Sequence, residues 1–177
     1  SARASAMADV LGFAKNDLSS VFYNPAGLAS VDGSAFYLNQ TSWIADMSVT
    51  NIAVSHNTGN MGTFALSVQS MNYGDFNGTA IDESDARGYS DIDVGDVGAM
   101  ALGLGYGIAM TDKFSIGGNV KWVTQQLGTN DTYVADAIEE SGKKNDLSTL
   151  AYDFGTAYDT GIKSIQLTMS IRNYAGQ

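Results

Sequence analysis

Residues 100–110 read MALGLGYGIAM, and alternate letters of that string belong to different environments. Met100, Leu102, Leu104, Tyr106, Ile108 and Met110 share one parity, while Ala101, Gly103, Gly105, Gly107 and Ala109 share the other. A period of two is the mark of a β-strand, whose successive side chains point to opposite faces. One face of this strand is bulky and apolar. The other is small enough for something to press closely against it.

The same design recurs on both sides. Phe114, Ile116, Val120 and Trp122 alternate with Ser115, Gly117, Asn119 and Lys121; Leu150, Tyr152, Phe154 and Tyr158 alternate with Thr149, Ala151, Asp153 and Asp159. Ile165, Leu167, Met169 and Ile171 then alternate with Gln166, Thr168, Ser170 and Arg172, and residues 34–43, 47–57 and 62–73 are strand-like with a looser pattern. That makes about seven strands. Connections at 57–60, 111–113 and 159–161 are short, whereas 74–95 and 128–147 are long and acidic; the brief link 44–46 joins the first pair at the long-loop end. Short turns at one end and long loops at the other are the plan of an outer-membrane barrel.

Composition agrees. Only 16% of the residues are charged, against roughly 25% in an average soluble domain, and there are 20 glycines and no cysteine. Phe114 and Trp122 lie about 26 Å apart along one strand, which becomes about 20 Å of height at a tilt of roughly 40°. The spacing predicts all-β structure: an antiparallel transmembrane β-barrel whose lipid side carries Tyr106, Phe114, Trp122, Tyr152, Phe154 and Tyr158. Lys121, Asp153 and Arg172 are placed on the lumen side, where pairing across strands offsets the cost of burying a charge. A soluble sandwich with an ordinary core is the competing architecture. An odd number of strands leaves open edges, so further strands are expected to complete the wall.

Residues 1–32 read differently and form the expected N-terminal helical hatch, with 33–177 as the wall. Met7, Val10, Leu11 and Ala14 follow the spacing of one helix face within residues 3–15. Asn16 and Asp17 offer N-cap chemistry for a second short helix reaching residue 22 or 23. Pro25, the only proline, is expected to end the helical segment by pushing Asn24 out of the α region, with Gly27 supplying a turn. Such a segment cannot lie in a lipid-facing sheet; it is expected to fold into the lumen as a plug against the glycine side of the strands. Arg3, Asn16, Asp17, Asn24, Pro25 and Gly27 are its candidate fixing residues.

Several functions are disfavoured. A net charge of −10 argues against nucleic acid, whose phosphates need a basic surface. No cysteine means no disulfide and no thiolate metal site. No apolar run is long enough for a membrane helix, and no signal-peptide pattern opens the chain, so it is expected to begin either as a cytosolic protein without its Met or as a mature secreted one, and SARASAM favours the second. His56 is the only histidine, and without a partner base or a Gly-x-Ser-x-Gly elbow it reads as structural, which points away from an enzyme. Asp91, Asp93 and Asp96 are the one weak calcium candidate, lacking the spacing of an EF-hand. GLGYG at 103–107 has no following helix or Lys-Ser/Thr and is not a phosphate loop.

Residues 3–29, RASAMADVLGFAKNDLSSVFYNPAGLA, resemble the N-terminus of the PorV/PorQ family of outer-membrane proteins, itself similar to the FadL-like channels; Ala8 stands where a glycine is usual. ALGLGYGIAMTDKFSIGGNVKWV at 101–123 resembles the family's paired strands around a Thr-Asp-Lys-Phe turn, and AYDFGTAYDTG and LTMSIRNYAG resemble the next hairpin and its Arg-Asn ending. The resemblance implies a barrel of about fourteen strands, of which this chain is the first half, in the bacterial outer membrane. It also implies a role in type IX secretion and surface presentation through protein partners, with lipid or detergent as the only expected bound molecules. FadL-like relatives instead admit hydrophobic compounds. A third reading, from the odd strand count alone, is a structural subunit of a multichain β assembly.

Overall fold

The computed structural model describes residues 6–7, 14–74, 77–81, 84–93, 97–129, 132–134, 137–139, 144–163 and 165–176. Its centre is one antiparallel sheet with the order β1 (Ser34–Ser42), β2 (Ser48–Asn57), β3 (Thr63–Asn72), β6 (Val97–Ala109), β7 (Phe114–Thr129), β10 (Lys144–Asp159) and β11 (Gln166–Ala175). Every neighbour in this sheet is the next sheet strand along the chain, as short antiparallel connections require. The all-β expectation and the count of seven strands in one sheet therefore hold.

The long connections differ from expectation. They are not plain loops: β4 (Asn77–Ile81) pairs with β5 (Tyr89–Asp93), and β8 (Thr132–Val134) with β9 (Ala137–Glu139). Two small hairpins thus stand at the long-loop end. The β1–β2 link is a tight turn with Ala45 and Asp46 both at φ 56°, the doubly left-handed geometry that matches strand twist. At the tip of the β4–β5 hairpin the Arg87 guanidinium lies 3.1 Å from Asp85, 3.4 Å from Asp91 and over the Tyr89 ring.

That guanidinium holds the Asp85 carboxyl below the usual carboxylate range. A lowered folded value means that the contact is fully present above the ordinary Asp range and is lost only as pH falls through the depressed value. An NMR titration is therefore expected to place the Asp85 midpoint below that of an exposed Asp. The midpoint should rise toward the ordinary value in Arg87→Gln but stop short of it, because the residue 87 backbone N–H still donates to Asp85 Oδ1 at 2.8 Å; an unmoved midpoint would contradict the assignment.

Register separates the two faces cleanly. Leu38, Ile52, Val68, Leu102, Trp122 and Leu150 form one row across six strands, and Phe36, Val54, Leu66, Leu104, Val120, Tyr152 and Tyr174 form the next. Nearly all of these are exposed. The opposite face carries Ala53, Ser55, Thr63, Ala65, Ser67, Ser115, Asn119, Ala151, Asp153 and Ala157, all buried. An ordinary half-buried sheet buries its large apolar residues; this one exposes them and covers its small ones.

The cover is the N-terminal segment. Two 3-10 helices, η1 (Leu18–Phe22) and η2 (Pro25–Ser30), lie on the small-residue face, η1 over β1 and β2 and η2 over β3, β6, β7 and β10. Leu18, Val21 and Leu28 form a core with Ala53 and Ala65, flanked by Phe22, Ala35 and Tyr37. Each large side chain so buried contributes roughly 1.5–3 kcal/mol. Pro25 corrects one expectation: it does not end the helical segment but opens its second helix at the first position, where a missing N–H costs nothing and φ is already set. The sheet begins only after Gly33, at φ 63°. Residues 8–13, most of the expected first amphipathic helix, lie outside the described residues.

Candidate functional site

The inner face carries two linked features, a seat and a polar cavity beside it. Asn24 builds the seat. Its Oδ1 accepts from Ala26 N at 3.0 Å, capping η2, and its Nδ2 donates to Thr156 O on β10 at 3.2 Å. The side chain is only 1% exposed, so both bonds are made where water cannot replace them. Glycines make room for it. A Cβ on Gly155 would collide with Asn24 Oδ1, one on Gly117 with the carbonyl group of Pro25, and one on Gly107 would lie 2.7 Å from Leu28 Cβ.

The remaining fixing residues act within the segment. Asp17 Oδ1 caps η1 by accepting from Ser19 N at 2.9 Å. Asn16 ties the start of the segment to its end: its N–H donates to Ser30 Oγ at 3.1 Å, and its Oδ1 accepts from Asp32 N at 3.2 Å. Gly27 is corrected from a turn residue to a contact residue, since a Cβ there would lie 2.5 Å from Ser20 Cβ and force η1 and η2 apart. Arg3 lies outside the described residues.

The charges expected on this side meet. Lys121 Nζ lies 2.8 Å from Asp153 Oδ2, with side-chain exposures of 17% and 4%. Asp153 also accepts from Asn119 Nδ2 at 3.3 Å and from the backbone N–H of Asn173 at 2.8 Å. Lys121 further donates to Asn173 Oδ1 at 2.5 Å. The reason Asn173 is within reach is a break in register: Tyr152 pairs with Tyr174 but Phe154 with Ile171, so Arg172 and Asn173 together face Asp153. This is a β-bulge, with Asn173 at φ 57°, and it places two consecutive polar residues on one side of the strand.

Arg172 takes no part in the ion pair. Its Nη1 donates to Phe22 O at 3.4 Å, which ties β11 to the N-terminal segment. Around it opens a cavity of about 250 Å³ lined by Tyr37, Asn51, Gln69, Lys121 and Arg172 among others. Tyr37 is on β1 and Arg172 on β11, the two edges of the sheet. In a flat sheet those strands would lie roughly 29 Å apart, so sharing one cavity means that the sheet curls around it. The lining is mostly polar.

The six aromatic residues expected on the outer side all have outward parity, but not equally. Trp122, Tyr152, Phe154 and Tyr158 are exposed, whereas Tyr106 and Phe114 are half-buried. Tyr106 packs against Phe64 at a 45° tilt with centroids 4.9 Å apart and donates to Met61 O at 2.8 Å. Trp122 Nε1 donates to Ser148 Oγ at 2.5 Å, at the border where the outward residues turn polar. Asp91 is engaged by Arg87; the Asp93 side chain and Asp96 lie outside what is described. No group of metal-binding residues occurs among the described residues, and none of their helices is long and apolar enough to cross a membrane.

Sequence reading missed Asn51, Gln69, Asn119 and Asn173. The signal was available for three of them, since amides at inward parity stand out among Ala, Gly and Ser. Asn51 and Gln69 are even cross-strand partners. No family model, curated protein or solved structure matches the chain, so its function must be read from its own residues.

Proposed function

We propose that the chain forms the wall and hatch of a non-enzymatic outer-membrane β-barrel of the PorV/PorQ type. In this reading it serves type IX export and surface presentation by binding partner proteins at its long-loop end. The observation that carries the membrane reading is the outer face: a continuous apolar surface, exposed, on a sheet whose other face is covered. Lipid is the solvent that such a face requires.

The layout of that surface supports lipid over a soluble partner. On β1 its outward apolar residues are Phe36 and Leu38; on β11 they are Leu167, Met169, Ile171 and Tyr174. Read through the register pairs, the middle of the apolar stretch drifts toward the tight-turn end from β1 to β11, by about two-thirds of a residue per strand, roughly 2.2 Å for each 4.8 Å crossed. A level band drawn across the strands therefore meets them at roughly 25° from upright. Barrel strands in membranes tilt by about 35–45°, so the strands lean as barrel strands do, by a smaller angle. On β10 the stretch from Leu150 to Tyr158 covers about 26 Å along the strand, close to the apolar band of about 25 Å in such barrels. Beyond it the outward row is Gln40, Thr50, Ser70, Met100, Thr124 and Ser148, mostly polar, and Trp122 bridges to it as an interfacial aromatic does.

The export role rests on the resemblance and on the two hairpins that project where partners would dock. A channel for hydrophobic compounds fits less well, because the cavity beside the hatch is polar. The test uses Trp43→Phe protein, which leaves Trp122 as the single tryptophan, reconstituted in vesicles containing brominated phospholipid. Strong quenching of Trp122 is expected. Protein that stays soluble without detergent, or a Trp122 that brominated chains do not quench, would remove the membrane reading. Shortening the residue 77–93 hairpin should then reduce surface display of exported proteins without changing membrane insertion; unaltered display would count against the export role.

A further inference from the structure

At the long-loop end the two faces of the sheet exchange character. Over most of their length the strands carry large apolar residues outward and small ones inward. At the rim the outward row is Ser42, Ser48, Asn72, Gly98 and Gln126, paired strand to strand. The chain neighbour of each, with inward parity, is Trp43, Met47, Tyr73, Val97 or Leu127. Backbone contacts carry this second row across the sheet: Trp43 N–H donates to Met47 O at 2.7 Å, Tyr73 N–H donates to Val97 O at 3.3 Å, and Val97 pairs with Leu127. We propose that this inner apolar collar docks a partner protein through a cationic segment carrying several large apolar side chains. The inference deepens the reading of the long-loop end as a partner surface and rests on it.

Neither lipid nor the hatch helices explain the collar. Lipid would meet the outer face, which is polar at this height. The hatch helices pack lower, around Ala53 and Ala65; Ala53 lies six residues along the chain from Met47, or roughly 20 Å of strand. Trp43 is 64% exposed and Leu127 51%, and Met47, Tyr73 and Val97 between them are partly exposed. A contiguous open apolar row rimmed by polar residues marks an interaction site.

Charge identifies the occupant. Both long links spring from collar residues, one joining Tyr73 to Val97 and the other leaving from Leu127. Residues 74–96 hold seven carboxylates and one arginine, and residues 128–146 hold five carboxylates and two lysines, so nine of the chain's ten net negative charges sit in these two links. A field of one sign concentrates ligands of the other. It repels an anionic amphiphile and matches a segment whose apolar residues are flanked by Lys or Arg.

Width sets the form of that segment. The collar crosses β1, β2, β3, β6 and β7, which are neighbours in the sheet, an arc of about 19 Å at roughly 4.8 Å per strand. That is broader than any single side chain. It accommodates the apolar face of one helix, about 10–12 Å across with its side chains, or the tip of one hairpin.

The test uses Trp122→Phe protein, which leaves Trp43 as the single tryptophan and makes the collar its own reporter. In vesicles containing brominated phospholipid, Trp43 is expected to stay unquenched where Trp122 is quenched. In nonionic detergent, the peptide Lys-Leu-Lys-Leu-Lys-Leu should move Trp43 emission to shorter wavelength. It should bind at least tenfold more tightly than the Glu-Leu or Lys-Ser counterpart, and less tightly as salt is added. Met47→Ser combined with Leu127→Ser should weaken it at least tenfold, with an unchanged unfolding midpoint showing that the variant is folded. Quenching of Trp43 by brominated chains, absent binding of the Lys-Leu peptide, equal binding of the Glu-Leu peptide, or a double variant that binds like its parent would each overturn the proposal. If the Lys-Leu peptide bound as expected while shortening the residue 77–93 hairpin left surface display unaltered, the export role would fall and the collar would stand.

Discussion

Gly117→Val is expected to release the N-terminal segment from the sheet, whereas Gly118→Val, one residue along, is expected to leave it in place. A Cβ on Gly117 runs into the carbonyl group of Pro25 and comes within 2.5 Å of Ala26 N, all backbone atoms. Nothing there can swing aside, because Pro25 fixes its own φ and Asn24 is anchored to Thr156 O on the next strand. On Gly118 the new Cβ faces the other side, and its nearest neighbour is Asp153 O at 3.7 Å. Both glycines have ordinary strand backbone, and valine is a good strand former, so the ladder itself should survive either change. The strain introduced at Gly117 costs about 1–3 kcal/mol, the usual range for overpacking a tight site. Limited chymotrypsin digestion reads the result directly: Phe22, Tyr23 and Leu28 should be cut rapidly in Gly117→Val and remain protected in Gly118→Val. Equal protection in both variants would mean that the segment is not seated as described.

The contrast between those two glycines shows how far sequence alone could reach. Parity assigned Gly103, Gly105, Gly107 and Gly117 to a crowded face and identified the N-terminal segment as what crowds it, because a strand that alternates bulky with tiny residues leaves its tiny side open to close approach by another backbone. The strands themselves were legible for the same reason, down to Phe114 opening β7 and the short turn before it. Pro25 was misread because a proline can end one helix or open the next. With only the residue string, Asn24 in extended conformation looks the same in either case.

The cavity was not legible at all. Its walls come from both edges of the sheet, and nothing local in Tyr37 or Arg172 announces that the sheet curls enough to bring them together. The bulge is equally silent: Arg172 and Asn173 are consecutive polar residues near a strand end, and which of them doubles against Asp153 depends on pairing with β10. Lys121 and Asp153 were placed on one side by parity, yet their meeting is diagonal, since Lys121 is paired with Ala151 and Asp153 with Asn119. Diagonal reach of a long side chain made the ion pair, and it is a property of register rather than of either strand.

Asp153→Leu is the second large expected effect, because that carboxylate answers three donors at once. Replacing it leaves Lys121 Nζ, Asn119 Nδ2 and the Asn173 N–H without their acceptor. The Asp153 side chain is 4% exposed and that of Lys121 17%, so water makes up little of the loss and the expected cost is about 3–5 kcal/mol. Lys121→Met leaves the more deeply buried Asp153 carboxylate without its counter-charge and is also expected to cost about 3–5 kcal/mol. The combination Lys121→Met with Asp153→Asn creates no unpaired charge but offers one oxygen where Asn173 N–H and Asn119 Nδ2 use Oδ1 and Oδ2 separately, so it should lie within about 1–3 kcal/mol of the unmodified protein, the cost of one unsatisfied buried donor. Denaturant unfolding of the four proteins in the same detergent measures these costs. A cost below about 0.5 kcal/mol for Asp153→Leu would show a solvated pair of the kind found on protein surfaces, and the buried network would have to be abandoned.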